Sequence, residues 1–263
     1  MIRNGFHQNP KPLRGAMIDP THPLSQGLFA ALLFNEGTGS TVFDASGNGS
    51  HVTGVASPPW AAGQHGSAGS LNGSNQYYTN TTANFPTAAV TIVLIANTVN
   101  QPGSIFGSPV ADVDGGIGAI NIHYPYGGIV YWQFGANRIQ YTPPASFFGT
   151  WRHAAFTSGG GGQGIYIDGI RQAAGVNTPR TMISPGFAVG VWNSLLNLCQ
   201  IEQVLVYKRV LSGAEIAWLN EDNYAFMAPP NVRRFAGIPA VVGGGASVQG
   251  GLSIGARRLS IGI

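Results

Sequence analysis

The residues most able to do chemistry in this chain are few and scattered. The stretch FDASGNGSH, residues 43–51, packs Asp44, Asn48 and His51 among two glycines and two serines. It is either an ion or ligand site or a tight corner between strands. A second stretch, NIHYPYGGIVYWQFG at 121–135, gathers Tyr124, Tyr126, Tyr131 and Trp132. Aromatic faces of this kind stack on pyranose rings, so carbohydrate binding is the chemistry it suggests. Strand alternation sends Tyr131 and Trp132 to opposite faces. Tyr124 and Tyr126, beside a Pro-Gly turn, are therefore the expected exposed pair.

Other patterns carry little. Residues 159–164 match G-x-G-x-x-G, but no helix follows and no acid lies about 20 residues on. GLSIG at 251–255 matches a nucleophile elbow without its strand-turn-helix setting. The six histidines include no pair at metal-ligand spacing. Ten Asp and Glu residues are sparse for a hydrolase that needs a positioned carboxyl pair. The arginines cluster at the ends and not along an aromatic-laced stripe, which argues against nucleic acid.

The elements that must hold these residues are strands. Only 9% of the 263 residues are charged, against a usual share of roughly 25%, and 39 are glycine. Sheets and turns manage with Thr, Ser, Asn and Gly where helices use long charged side chains. Short apolar or alternating runs at 28–34, 88–97, 118–124, 128–134, 151–157, 164–168, 187–191 and 201–207 alternate with turn signals. SGGGGQG (158–164) and Asp168-Gly169 read as hairpin turns. Ser212 and Glu215 form S-x-x-E, with Leu211 and Ile216 at staple positions, and predict a helix over 213–222.

The ends differ from the body. Residues 1–18 and 223–263 carry seven of the thirteen basic residues and no acid, leaving six basic against ten acidic residues in 19–222. Basic ends on an acidic body suggest arms that dock on another subunit. LSIG occurs at 252–255 and 259–262 after a VVGGGAS hinge, so residues 228–263 are expected to add strands to a neighbour. In that reading Leu252, Ile254, Leu259 and Ile261 are buried in the partner, while Arg257 and Arg258 meet its acidic groups. The lone Cys199 gives no disulfide framework. The first residues lack a signal-peptide pattern, and no apolar run suits a membrane helix.

Three ordered pieces then carry a resemblance. GLFAALLFNEGTGSTVFDASGNGSHVTG with PPWAAGQHGSAGSLNGSNQYYT, WRHAAFTSGGGGQGIYIDGIRQ, and IEQVLVYKRVLSGAEIAWLNED together resemble the laminin-G-like jelly rolls of the concanavalin A-like lectin/glucanase superfamily. The resemblance spans about residues 24–225 and implies an all-β fold, a two-sheet antiparallel β-sandwich with one short C-terminal helix. It departs from the superfamily's glucanases, which carry a Glu-x-Asp-x-Glu cluster; here Glu202 stands alone beside Gln203. Where relatives have acids, this chain has NGSNQ (72–76) and IEQV (201–204). Calcium needs about six to eight hard oxygens. Asp44, Asn48 and Glu202 are the candidate ligands of a structural calcium ion, behind the reading of 43–51 as a corner in which Asp44 caps backbone N–H groups.

The flanks MIDPTHPLSQGL and LNEDNYAFMAPPNVRRF resemble laminin-G-like proteins encoded by tailed phages and prophages. That likeness implies a virion protein, either a capsid decoration or a tail or fibre component, made in the host cytoplasm. The expected organisation is an N-terminal arm at 1–23, a jelly roll at 24–227 and a docking arm at 228–263. The expected function is non-enzymatic and lectin-like. Its partners would be capsid or tail subunits, further copies in the particle and host glycans, with no nucleic acid and no membrane insertion. A free carbohydrate-binding module is the alternative, and a glycoside hydrolase the weaker one.

Overall fold

The computed structural model describes residues 11–86, 88–107, 120–135, 137–160, 162–176 and 186–228, and the architecture below is that of these residues. They build two large antiparallel sheets packed face to face, as the resemblance implies.

One sheet contains β1 (Leu28–Leu32), β4 (Trp60–Ala62), β5 (Ser67–Asn72), β7 (Val90–Thr98), β12 (Trp151–Gly159), β13 (Gly162–Ile167), β14 (Ile170–Val176) and β18 (Leu198–Tyr207). Its order is β14-β13-β12-β7-β18-β5-β4, with β1 also pairing β18. The other contains β2 (Thr41–Val42), β3 (Val52–Val55), β6 (Tyr77–Asn80), β8 (Ser104–Gly107), β9 (Ile120–Tyr126), β10 (Ile129–Phe134), β11 (Asn137–Tyr141) and β15 (Phe187–Val189). Its order is β11-β10-β9-β8-β15-β6-β3-β2. A small hairpin, β16 (Val191–Trp192) with β17 (Leu195–Leu196), completes the strands.

Alternation decides what each face meets. Val90, Ile92, Leu94, Phe156, Ile201 and Val204 of the first sheet meet Tyr78, Ile122, Val130, Trp132, Phe134 and Phe187 of the second in one core. The opposite face of the first sheet is also covered. There Val93, Ala155, Leu205 and Tyr207 pack under Leu24, Leu211, Ile216, Leu219 and Phe226. Helix α1 (Gly213–Glu221) supplies Ile216 and Leu219, each burial contributing roughly 1.5–3 kcal/mol. Its capping box is formed as the sequence predicts: Ser212 Oγ accepts from Glu215 N, and Glu215 Oε2 accepts from Ser212 N at 2.8 Å. The first sheet is thus buried on both sides; in the second, β10, β11, β6 and β3 alternate more buried with more exposed residues, while β8, β15 and all of β9 but Tyr126 are buried on both faces.

The expected hairpins are present. Gln163 pairs with Ser158 and Gly162 with Gly159, so the glycine run turns β12 into β13. Ile167 pairs with Ile170 across Asp168-Gly169. Residues 11–23, expected in the N-terminal arm, lie on the sandwich. Ile18 bridges to Met227, and Asp19 N donates to Phe226 O at 2.9 Å. Among the described residues no helix is long and apolar enough to cross a membrane.

Candidate functional site

The FDASGNGSH stretch folds as a corner. Asp44 is buried, and its Oδ1 accepts from Ala31 N (2.8 Å) and Ser46 N (2.9 Å). Its Oδ2 accepts from Ser46 Oγ (2.7 Å) and Ser50 N (2.9 Å). Gly47 and Gly49 have φ of +84° and +75°, a region L side chains rarely enter, and this lets the chain wrap the carboxylate. Asn48 turns its amide nitrogen inward, donating to Leu28 O (3.0 Å) and Phe29 O (3.2 Å). A metal ligand would be its oxygen instead.

The three candidate calcium ligands are not brought together, which corrects the expectation of a shared site. Glu202 belongs to a separate network with no partner in common with Asp44. Its Oε1 accepts from His65 N at 2.6 Å, and its Oε2 from Gln64 N at 3.2 Å. His65 Nδ1 lies 3.1 Å from Oε2, and Lys11 Nζ 3.5 Å from Oε1. Lys11 Nζ also donates to the carbonyls of Phe34, Ser67 and Glu202. Burial pushes the Glu202 carboxyl up, but the His65 hydrogen bond and the Lys11 charge outweigh it and hold the group below the usual carboxylate range. Burial pushes the Lys11 ammonium down to about 8. Among the described residues no three His, Cys, Asp or Glu side chains gather as a metal site.

The aromatic stretch holds a correction and a gain. Tyr124 is only 1% exposed and lies in the core, whereas Tyr126 is 46% exposed. Two residues apart on a regular strand they would share a face. Pairing of β9 with β10 shifts register here: Tyr126 sits opposite Ile129, but His123 sits opposite Tyr131. This β-bulge adds one residue to β9, so side-chain parity flips between His123 and Tyr126. As a result His123 and Tyr126 share the outer face of the sheet, and Tyr124 does not.

Around His123 the open face gathers a cluster that sequence reading missed. Its ring centroid lies 5.3 Å from that of Tyr126, 5.5 Å from Trp192 and 6.1 Å from Tyr131. Trp192 lies directly over Gly107, where an added Cβ would fall 2.8 Å from the Trp192 Cβ; no other residue type fits beneath it. Ser104 Oγ lies 2.9 Å from both Asn121 Oδ1 and Ile122 O, and Asn121 Nδ2 lies 2.8 Å from His123 Nε2. Burial pushes His123 down to about 4, against a hydrogen bond to the Gly103 backbone and aided by the Arg138 charge. The imidazole is neutral at pH 7 and fixed in one orientation.

Cross-strand register extends this cluster into rows. Gln140, Tyr131, His123 and Ser104 form one row across β11, β10, β9 and β8. Arg138, Gln133, Asn121 and Gly107 form the next. Beyond Gly107 the second row runs through Ala188, Thr79, Thr53 and Thr41, all small. The result is an outer face of amides, hydroxyls and rings in which Ser104, Asn121 and His123 are buried, while Tyr131, Gln133 and Trp192 are half-buried and Tyr126, Arg138 and Gln140 exposed. Such a surface hydrogen-bonds hydroxyl-rich ligands and stacks on their apolar faces. The one signal in the sequence was the alternation of Asn121, His123, Tyr131 and Gln133; Trp192 could be found only in three dimensions. The expected docking residues Leu252, Ile254, Arg257, Arg258, Leu259 and Ile261 lie outside the described residues.

With this geometry in view, a family model described as the Concanavalin A-like lectin/glucanases superfamily matches residues 72–217. No curated protein matches. Among solved structures, the binding domain of Paraclostridial Mosquitocidal Protein 1 is similar at 15% identity and a TM-score of 0.60. The match covers 75% of this chain and 52% of that one. The binding domain of Botulinum Neurotoxin DC, in complex with SialylT, matches at 15% identity and a TM-score of 0.61, over 76% and 52% of the two chains. The chain therefore spans about half the length of these toxin domains. Domain 4 of AbnA, an extracellular arabinanase from Geobacillus stearothermophilus solved with arabinotriose, matches at 19% identity and a TM-score of 0.54. That match covers 73% of this chain and 98% of the arabinanase domain.

Proposed function

Because this chain belongs to the concanavalin A-like lectin/glucanases superfamily, we propose that it is a non-catalytic, lectin-like domain whose open sheet binds carbohydrate. The observation that carries this reading is the aromatic cluster of Tyr126, Tyr131 and Trp192 around the buried, neutral His123, with Gln133 alongside and Asn121 and Ser104 buried beneath. The similar solved structures lend support, since they are binding domains of toxins and domain 4 of an arabinanase in complex with arabinotriose. Catalysis is disfavoured by the same face. Among the described residues its strands contain no Asp or Glu, and glycoside hydrolysis uses a carboxyl pair. Glu202, the acid of the IEQV segment, is fully buried and held by Lys11 and His65.

We infer further that the domain is carried on a virion, as a capsid decoration or a tail or fibre component. The support is the resemblance of its flanks to phage-encoded relatives and the basic, acid-free ends. Glycan-array binding and calorimetry test the first claim. The intact protein should bind, and Tyr126→Ala should weaken binding by about tenfold or more without lowering the melting temperature. Unchanged binding in that variant would remove the cluster from the site, and release of reducing sugar from any bound glycan would overturn the non-catalytic reading. Purified particles of the source test the second: the protein should travel with them through a density gradient, and its absence there would leave a free carbohydrate-binding module.

A further inference from the structure

We propose that the open face selects acidic saccharides, with Arg138 as the residue that receives the sugar carboxylate; this rests on the carbohydrate-binding reading. Among the described residues, the sole charged side chain in the strands of this sheet is Arg138. It is exposed, and its guanidinium carbon sits over the Tyr131 ring, 4.6 Å from the centroid. A guanidinium held over a ring gains cation–π attraction and keeps its N–H donors for a further partner. Among the described residues no carboxylate forms an ion pair with it.

The surroundings favour an anion on that edge. Gln133, opposite Arg138 in register, and Asn121 beyond it add neutral amides, so nothing in the row repels negative charge. His123, kept neutral by its buried position, adds no competing cation. Stacking by Arg138 also covers one face of Tyr131 and leaves Tyr126, 46% exposed, as the more open ring for a sugar. The ligand geometry follows: a pyranose near Tyr126 and Trp192, and a carboxylate reaching across Tyr131 to Arg138. A planar fork matches a carboxylate in two parallel hydrogen bonds. Carboxylate-bearing sugars, uronates or sialates, are therefore the class.

A glycan array holding carboxylate-bearing, sulfated and neutral saccharides tests this with the full-length protein. Signals should concentrate on the carboxylate-bearing glycans. Titration with the strongest of them should then show affinity falling at least about tenfold on reduction of its carboxyl, and equally in Arg138→Gln. Arg138→Lys should recover little, since an ammonium keeps the charge but lacks the fork. Signals confined to neutral or sulfated glycans, or an Arg138→Gln variant that binds as tightly as the parent, would overturn the carboxylate assignment while leaving carbohydrate binding in place. A silent array would overturn both.

Discussion

At the scale of single residues, Asp44 shows how a carboxylate can resemble a metal ligand in sequence and serve as a turn in structure. Each of its oxygens accepts two hydrogen bonds, from three backbone N–H groups and one hydroxyl. Little lone-pair capacity is left for an ion. The sequence held both readings, since Asp, Asn and Gly serve turns and calcium loops alike; what decided was the backbone of Ala31, which only the fold brings near. Asp44→Ala strands two buried donors and a part-buried one and should cost about 3 kcal/mol, read as a lowered denaturation midpoint. EDTA or added calcium should leave the melting temperature of the parent protein unchanged. A chelator-dependent drop that vanishes in Asp44→Ala would restore the ion to this corner.

At the scale of elements, local chemistry was legible and long-range chemistry was not. The capping box at Ser212 and the Gly-rich hairpin at 158–164 are written in adjacent residues, so they could be read directly. The bulge opposite Val130 could not, because it arises from pairing between strands, and it moved Tyr124 from the expected binding face into the core. The Lys11–Glu202 contact joins residues 191 apart and has no sequence signature. Its role is to tie the N-terminal segment to β5 and β18: Lys11 reaches the carbonyls of Ser67 and Glu202 as well as the carboxylate. Both side chains are almost fully buried, so the loss of one leaves the other uncompensated. Glu202→Gln and Lys11→Met should each destabilise by roughly 3–5 kcal/mol, while the double variant should cost clearly less than their sum. Additive losses in urea denaturation would show that the two groups do not act as a pair.

At the scale of the whole molecule, a sandwich this poor in charge depends on keeping its buried polar groups in one protonation state. His123 and His153 sit on outward faces of different sheets, and burial pushes each down to about 4. In the unfolded chain both take up protons near pH 6.5. Between about pH 6.5 and 4 the unfolded state therefore binds up to two more protons than the fold, so stability falls as the solution is acidified through that window. Glu202 and Glu215 act in the next window down. For each, burial raises the carboxyl, but hydrogen bonds and charge (from His65 and Lys11, and from Arg209 and Ser212) overcome it and hold the folded group below its ordinary range. Their stabilisation is present above the unfolded carboxylate value and is lost as pH drops through the folded one. Stability should thus decline on the order of 1–2 kcal/mol per pH unit below about 6.5, steepening further below 4.5. Urea denaturation at half-unit steps from pH 7.5 to 4 measures this slope. His153→Gln has no proton to gain at that position, so its stability should fall less steeply between pH 6.5 and 5 than the parent's. A parent whose midpoint holds constant from pH 6.5 to 4.5 would show that these imidazoles titrate in the fold as they do in water.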